Sequence, residues 1–149
     1  MNSSNDNQEV IPMLTLEAAN TVIKAALAKG RELDLKPLTV VVLDHSGEIK
    51  AAAREDGSSR LRPAVAQGKA QGALALEMSS RALAEMAEAR PQFFNTLVAA
   101  SGGRMVAAAG GVLIREGDAV IGAVGISGDV SDQDEACAVA GVEAAGFQT

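Results

Sequence analysis

The chain has 149 residues, a length that suggests one domain, and is 48% hydrophobic yet only 2% aromatic, so Ala, Val, Leu and Gly must fill its core. A net charge of −6 argues against unaided binding to nucleic acid or an anionic membrane surface. One Cys and one His exclude an internal disulfide and a single-chain Cys/His zinc site, and no apolar run nears the roughly 18 residues of a membrane span.

The first thirteen residues, MNSSNDNQEVIPM, are polar and lack a signal-type apolar stretch, so they read as a disordered arm on a cytoplasmic protein. One domain is expected over residues 14–149. From Thr15, a candidate N-cap, apolar positions at Leu16, Ala19, Ile23, Ala26 and Leu27 carry helical periodicity, and Pro37 marks the end. LTVVVLD is a β-branched run, and EIKAAAR returns after a turn at His45, Ser46 and Gly47, as an antiparallel hairpin requires. The loop EDGSSRLRP leads to Pro63 and a helix, AVAQGKAQGALALEM. Ser58 or Ser59 is placed to cap that helix, and Gly68 and Gly72 invite close packing. Ser79–Arg81 opens a further helix that Pro91 stops, and QFFNTLVAASGG reads as another short one.

Three strands are then expected: RMVAAAG, GVLIRE and AVIGAVGIS, the last two joined by a Gly117-Asp118 turn. Ser131 and Asp134 resemble a capping box for a last helix ending at Gly146. The element order predicts an α+β domain with an antiparallel sheet.

Two stretches stand out chemically. In AAAREDGSSRLRPAVAQGK, Arg54, Arg60, Arg62 and Lys69 gather beside a helix start, a setting that suits a carboxylate or phosphate. The alternative is a solvated loop with Arg54 paired to Asp56. In AVIGAVGISG, Gly122, Gly125 and Gly128 place bare backbone around Ser127, which suits either an anion cradle or a bend at a sheet edge. The spacing is not a dinucleotide fingerprint. His45 reads as a turn residue, a general base or a haem ligand. Cys137 falls on the apolar side of its helix. Asp129, Asp132, Asp134 and Glu135 are better explained by helix capping than by a metal.

LTLEAANTVIKAALAKG, VVVLDHSGEIKAAAREDGSS, AVAQGKAQGAL, GGVLIREGDAVIGAVGISG and DQDEACAVAG, in this order, resemble the GlcG/HbpS-like family, whose members are often labelled haem-degrading domains. The resemblance runs from Leu14 to Gly146. It implies a profilin-like α/β sandwich with a five-stranded antiparallel sheet flanked by helices, assembled as a dimer or higher oligomer, up to an octamer. It also implies that the glycine-rich strands lie where chains meet and a small-molecule pocket forms. Arg54, Asp56, Gly57, Lys69, Gly110, Gly111, Gly122, Gly125, Ser127 and Gly128 fall on the family pattern. From these the expected ligand contacts are Arg54, Lys69, Gly110, Gly111, Gly125, Ser127 and Gly128. Arg54 and Lys69 are expected to face one pocket, with Asp56 orienting Arg54 or serving as a base.

The leading expectation is an oligomeric accessory protein binding a small anionic molecule, with haem or another tetrapyrrole first. An enzyme of small organic-acid catabolism using Arg54, Asp56 and Lys69 is the alternative, and a structural assembly partner is a third. Some family members bind haem, in one case through a histidine in the first helix. Here that helix has none, and Asn20 stands in what is expected to be its inner part. Iron ligation would fall to His45, Cys137 or a methionine such as Met78, Met86 or Met105. Weak haem binding is therefore expected.

Overall fold

A computed structural model describes residues 12–149; most of the expected arm lies outside the described residues. The elements are α1 (Leu16–Glu32), β1 (Thr39–Asp44), β2 (Ile49–Arg54), α2 (Arg62–Leu76), α3 (Ser80–Ala89), α4 (Pro91–Ala100), β3 (Gly111–Glu116), β4 (Ala119–Ser127) and α5 (Ser131–Ala144). Thr15 caps α1 by accepting the Ala18 amide at 3.1 Å. Gly146, at φ +85°, ends α5: its amide returns to Glu143 and that of Phe147 to Val142.

The four strands pair antiparallel in the order β2-β1-β4-β3. Alternation along each strand divides the core in two. Val40, Val42, Val112, Ile114, Val124 and Ile126 face α1 and α5. Val41, Leu43, Leu113 and Ala123 face α2, which presents Ala66, Ala70 and Ala73. The sheet is thus sandwiched between α1/α5 and α2, and α3 with α4 forms an appended helical pair.

The α+β class and the antiparallel sheet match the sequence reading; the strand count does not. Among the described residues the sheet has four strands, because residues 104–110 form none. Met105 is buried, and the Val106 amide donates to the Gly68 carbonyl of α2 at 3.1 Å. This stretch runs along a helix instead of a strand, and Gly110, at φ +128°, turns it into β3. Ser58 and Ser59 do not cap α2, whose N-cap is Leu61 with no side-chain bond. Ser131 is not the cap of α5 either; Val130 holds that position.

The glycine-rich strand β4 lies at the centre of the sheet, not at its edge. A Cβ on Gly125 would run into the carbonyl oxygen of Ala66, and one on Gly128 into that of Pro37. Bare backbone here lets α2 lie directly on the sheet. The same economy brings Val106 against Gly68 and Leu83 against Gly72.

Candidate functional site

The end of β4 and the start of α2 enclose a polar seam. Lys69, only 2% exposed, donates from Nζ to the Ile126 carbonyl at 2.8 Å and to Asp134 Oδ2 at 3.2 Å. Asp134 also accepts the Asp129 amide at 2.9 Å. Burial holds the Lys69 ammonium below the usual lysine range, with Asp134 opposing and Arg62 adding to the shift. Burial raises the Asp134 carboxyl, against the hydrogen bonds and the lysine charge that favour ionisation. Arg62 donates to Ser127 Oγ at 3.0 Å, and Thr39 Oγ1 lies 2.8 Å from Ser58 Oγ. Every buried side-chain polar atom described has a partner. Gly110, Gly111, Gly125, Ser127 and Gly128 are all buried around this seam, and the space beside each of these glycines is filled by protein atoms.

Arg54 lies elsewhere. It ends edge strand β2, exposed, in an open groove of about 460 Å³ with Arg31, Pro37, Glu55 and Asp56. Arg31 is held there by Glu55 at 3.3 Å. Arg54 has no ion-pair partner among the described residues. Arg54 and Asp56 therefore share a groove, but Lys69 does not join them. A side chain reaching back along α2 finds Asp134 and closes into the interior.

A third region was only half visible in the sequence. His45 sits at the tip of the β1–β2 hairpin, where Asp44 Oδ1 accepts the amides of Ser46 at 2.9 Å and Glu48 at 3.2 Å. Together with Asp44, Ser46 and Lys50 it borders a recess of about 310 Å³ whose remaining lining is Pro12, Met13, Leu14 and Ile121. Its Nδ1 lies 3.3 Å from Ser46 Oγ, and its Nε2 has no hydrogen-bond partner among the described residues. The recess thus combines an apolar wall, an imidazole with a free nitrogen, and an ammonium group. Sequence reasoning assigned residues 12 and 13 to the arm, so it missed this wall.

A family model described as haem degrading protein HbpS-like matches residues 14–143. The chain belongs to the HbpS-like family. No curated protein matches it. Among solved structures, a complex of PduOC with haem superimposes on this HbpS-like chain with a TM-score of 0.84 at 23% identity, over 93% of this chain and 99% of that one. The Klebsiella pneumoniae protein ORFY gives 0.84 at 24%, over 98% and 97%. HbpS itself gives 0.78 at 24%, over 96% and 97%. At these identities the likeness establishes a shared fold.

The other expected iron ligands of this HbpS-like chain lie away from the His45 recess. Cys137 is fully buried in the α1/α5 core, where burial and the Asp134 charge push its thiol up to about 11. Met105 is buried, Met86 is half-buried, and Met78 borders a different recess with Arg81 and Glu135. Asn20 is exposed, not inward-facing; it lines a shallow groove with Leu16, Glu17, Thr21 and Lys24. No helix among the described residues is long and apolar enough to cross a membrane.

Proposed function

We propose that this HbpS-like protein binds haem or a related carboxylate-bearing tetrapyrrole as an oligomeric accessory protein. The reading is carried by the recess beside His45. Pro12 and Met13, backed by the buried Leu14 and Ile121, offer a macrocycle an apolar wall, His45 Nε2 offers its metal a ligand, and Lys50 offers a propionate an opposite charge. Asp44 shares the rim, but one of its carboxylate oxygens is turned into the hairpin, where it accepts two backbone amides. Bound haem supplies an iron centre that takes axial ligands. Family membership and the fold shared with a haem complex point the same way.

The small-organic-acid alternative has less support. Its lysine is buried against Asp134, and Glu55 and Asp56 offset the cationic charge around Arg54.

Titration with hemin, followed by Soret absorbance, tests the proposal, with iron-free protoporphyrin followed by fluorescence in parallel. Saturable binding of both is expected, weakened by Met13→Glu, which puts a charge on the exposed wall. No saturable change with either compound overturns it.

A further inference from the structure

Three residues of β3 turn their peptide groups away from the sheet, and one of them is left without a partner. The Gly110 carbonyl accepts the Ile126 amide at 2.9 Å, so Val112 and Ile114, in the same phase, also face β4. The register shift in this pairing skips Ile121 of β4 and leaves the alternation along β3 intact. Gly111, Leu113 and Arg115 therefore point to the free edge of the sheet. Ser80 Oγ fills the first position, accepting the Gly111 amide at 2.7 Å and donating to its carbonyl at 3.3 Å. Gln148 fills the third: its carbonyl accepts the Arg115 amide at 2.7 Å, and its amide donates to the Arg115 carbonyl at 3.0 Å. Leu113, between them, is only 4% exposed, yet its outward N–H and C=O bond to no described residue. Buried backbone groups are nearly always paired.

Leu113 borders a recess of about 350 Å³. Met78 and Val139 give it apolar sides, and Arg81 and Arg115 give it guanidinium groups. The edge limits what can sit there. In an antiparallel pair one residue exchanges both bonds with one partner residue, whereas a parallel pair spreads them over two. A single outward residue thus calls for an antiparallel partner, which continues the Arg115–Gln148 bridge. That bridge sends Thr149 along the edge toward Ile114, where it borders the recess. Thr149 then holds the place that any group ahead of the partner residue's nitrogen would take. On the other side the edge runs two residues from Leu113, about 7 Å, before Ser80 closes it. That is room for one more residue, ending beside Arg81. Arg81 gives Nε to Glu135 and Nη2 to Asp132, which leaves Nη1 without a partner among the described residues.

We propose that this recess binds a short peptide of dipeptide length with a free amino terminus. The amine of its first residue donates to the Leu113 carbonyl, and the carbonyl of that residue accepts the Leu113 amide. The carboxylate that ends the second residue meets Arg81 Nη1. Small or apolar side chains suit the walls at Met78 and Val139. The site is separate from the recess beside His45 and does not depend on the haem reading.

The test titrates the full, isotope-labelled chain with L-alanyl-L-alanine and follows the backbone amides by nuclear magnetic resonance. The expected result is a saturable shift of the Leu113 amide together with slower hydrogen exchange at that position. N-acetyl-L-alanyl-L-alanine, whose acetyl group would meet Thr149, should leave the Leu113 amide unmoved. Arg81→Gln, with circular dichroism confirming the fold, should weaken the dipeptide about tenfold through loss of the charged partner. No saturable change at Leu113 overturns the site, as does a Leu113 amide that exchanges as slowly as those of Val112 and Ile114 before any peptide is added. Equal binding of the acetylated compound overturns the requirement for a free amine, and unchanged affinity in Arg81→Gln overturns the placement of the carboxylate.

Discussion

Replacing Asp134 by Asn tests the buried seam, because it removes a charge while keeping an acceptor for the Asp129 amide. Lys69 Nζ is then left with the Ile126 carbonyl at 2.8 Å and a neutral side chain, with Arg62 near enough to repel it. Removing one partner of a buried ion pair costs about 3–5 kcal/mol, since the other charge stays desolvated. For a domain of this size that corresponds to a fall in Tm of roughly 6–20 °C. Lys69→Met should cost less, about 1–3 kcal/mol, because Asp134 keeps its backbone donor and can accept a proton. The double variant should cost clearly less than the sum, with a coupling of roughly 2 kcal/mol. Urea unfolding followed by circular dichroism at pH 7 measures all three.

The same variant has a pH signature. In Asp134→Asn, Lys69 loses the carboxylate that favours its protonated form, so burial depresses its folded pKa further below the ordinary value of 10.5. Between that depressed folded value and the ordinary lysine value of 10.5, the unfolded chain holds the lysine proton while the folded chain releases it, so stability must rise with pH. Relative to wild type, Asp134→Asn should recover stability as pH rises toward the ordinary lysine range. Two single losses below about 1 kcal/mol that simply add, with no pH-dependent recovery, would refute the claim that this pair is sealed in the interior.

Two further outcomes follow from the packing. Gly125→Ala drives a methyl group into the Ala66 carbonyl, with Ala70 N at 3.0 Å, and neither can rotate away, so a loss of about 3 kcal/mol is expected in the same urea assay; a loss under about 1 kcal/mol would contradict the close approach. The Cys137 thiol, raised to about 11 by burial, should stay silent to a disulfide reagent at pH 8 until denaturant is added; prompt labelling of the native protein would show that α5 opens readily.

Periodic segments were legible in the sequence and segments defined by distant partners were not. α1 and the β1–β2 hairpin follow from their own periods and turn residues. Residues 104–110 look like a strand because a short apolar run has no period that distinguishes sheet edge from helix contact. Their true partner, the Gly68 carbonyl, is 38 residues away in sequence, since its bond is made to Val106. Lys69 was read as a ligand contact because charge in a sequence defaults to the surface. Its partner Asp134 lies 65 residues on and looked like a helix cap. The His45 recess joins residues 12–14, 44–50 and 121, three stretches with no common motif.

The glycines link these points to function. A chain almost without aromatics can fill its interior only by bringing backbones close together, and Gly125, Gly68 and Gly72 do so at the contacts of α2. Once α2 lies this close, Lys69 and Ser127 are shut inside, where Lys69 donates to the Ile126 carbonyl and Asp134, and Ser127 accepts from Arg62. The chemistry that the sequence concentrates around β4 is thereby committed to holding the sandwich together. On the reading proposed above, ligand chemistry falls to groups at the rim beside His45 that the packing does not consume: an imidazole nitrogen, an ammonium and an apolar wall. A ligand bound there touches neither the seam nor the glycines. Asp134→Asn should therefore weaken folding without altering hemin affinity in the molecules that remain folded.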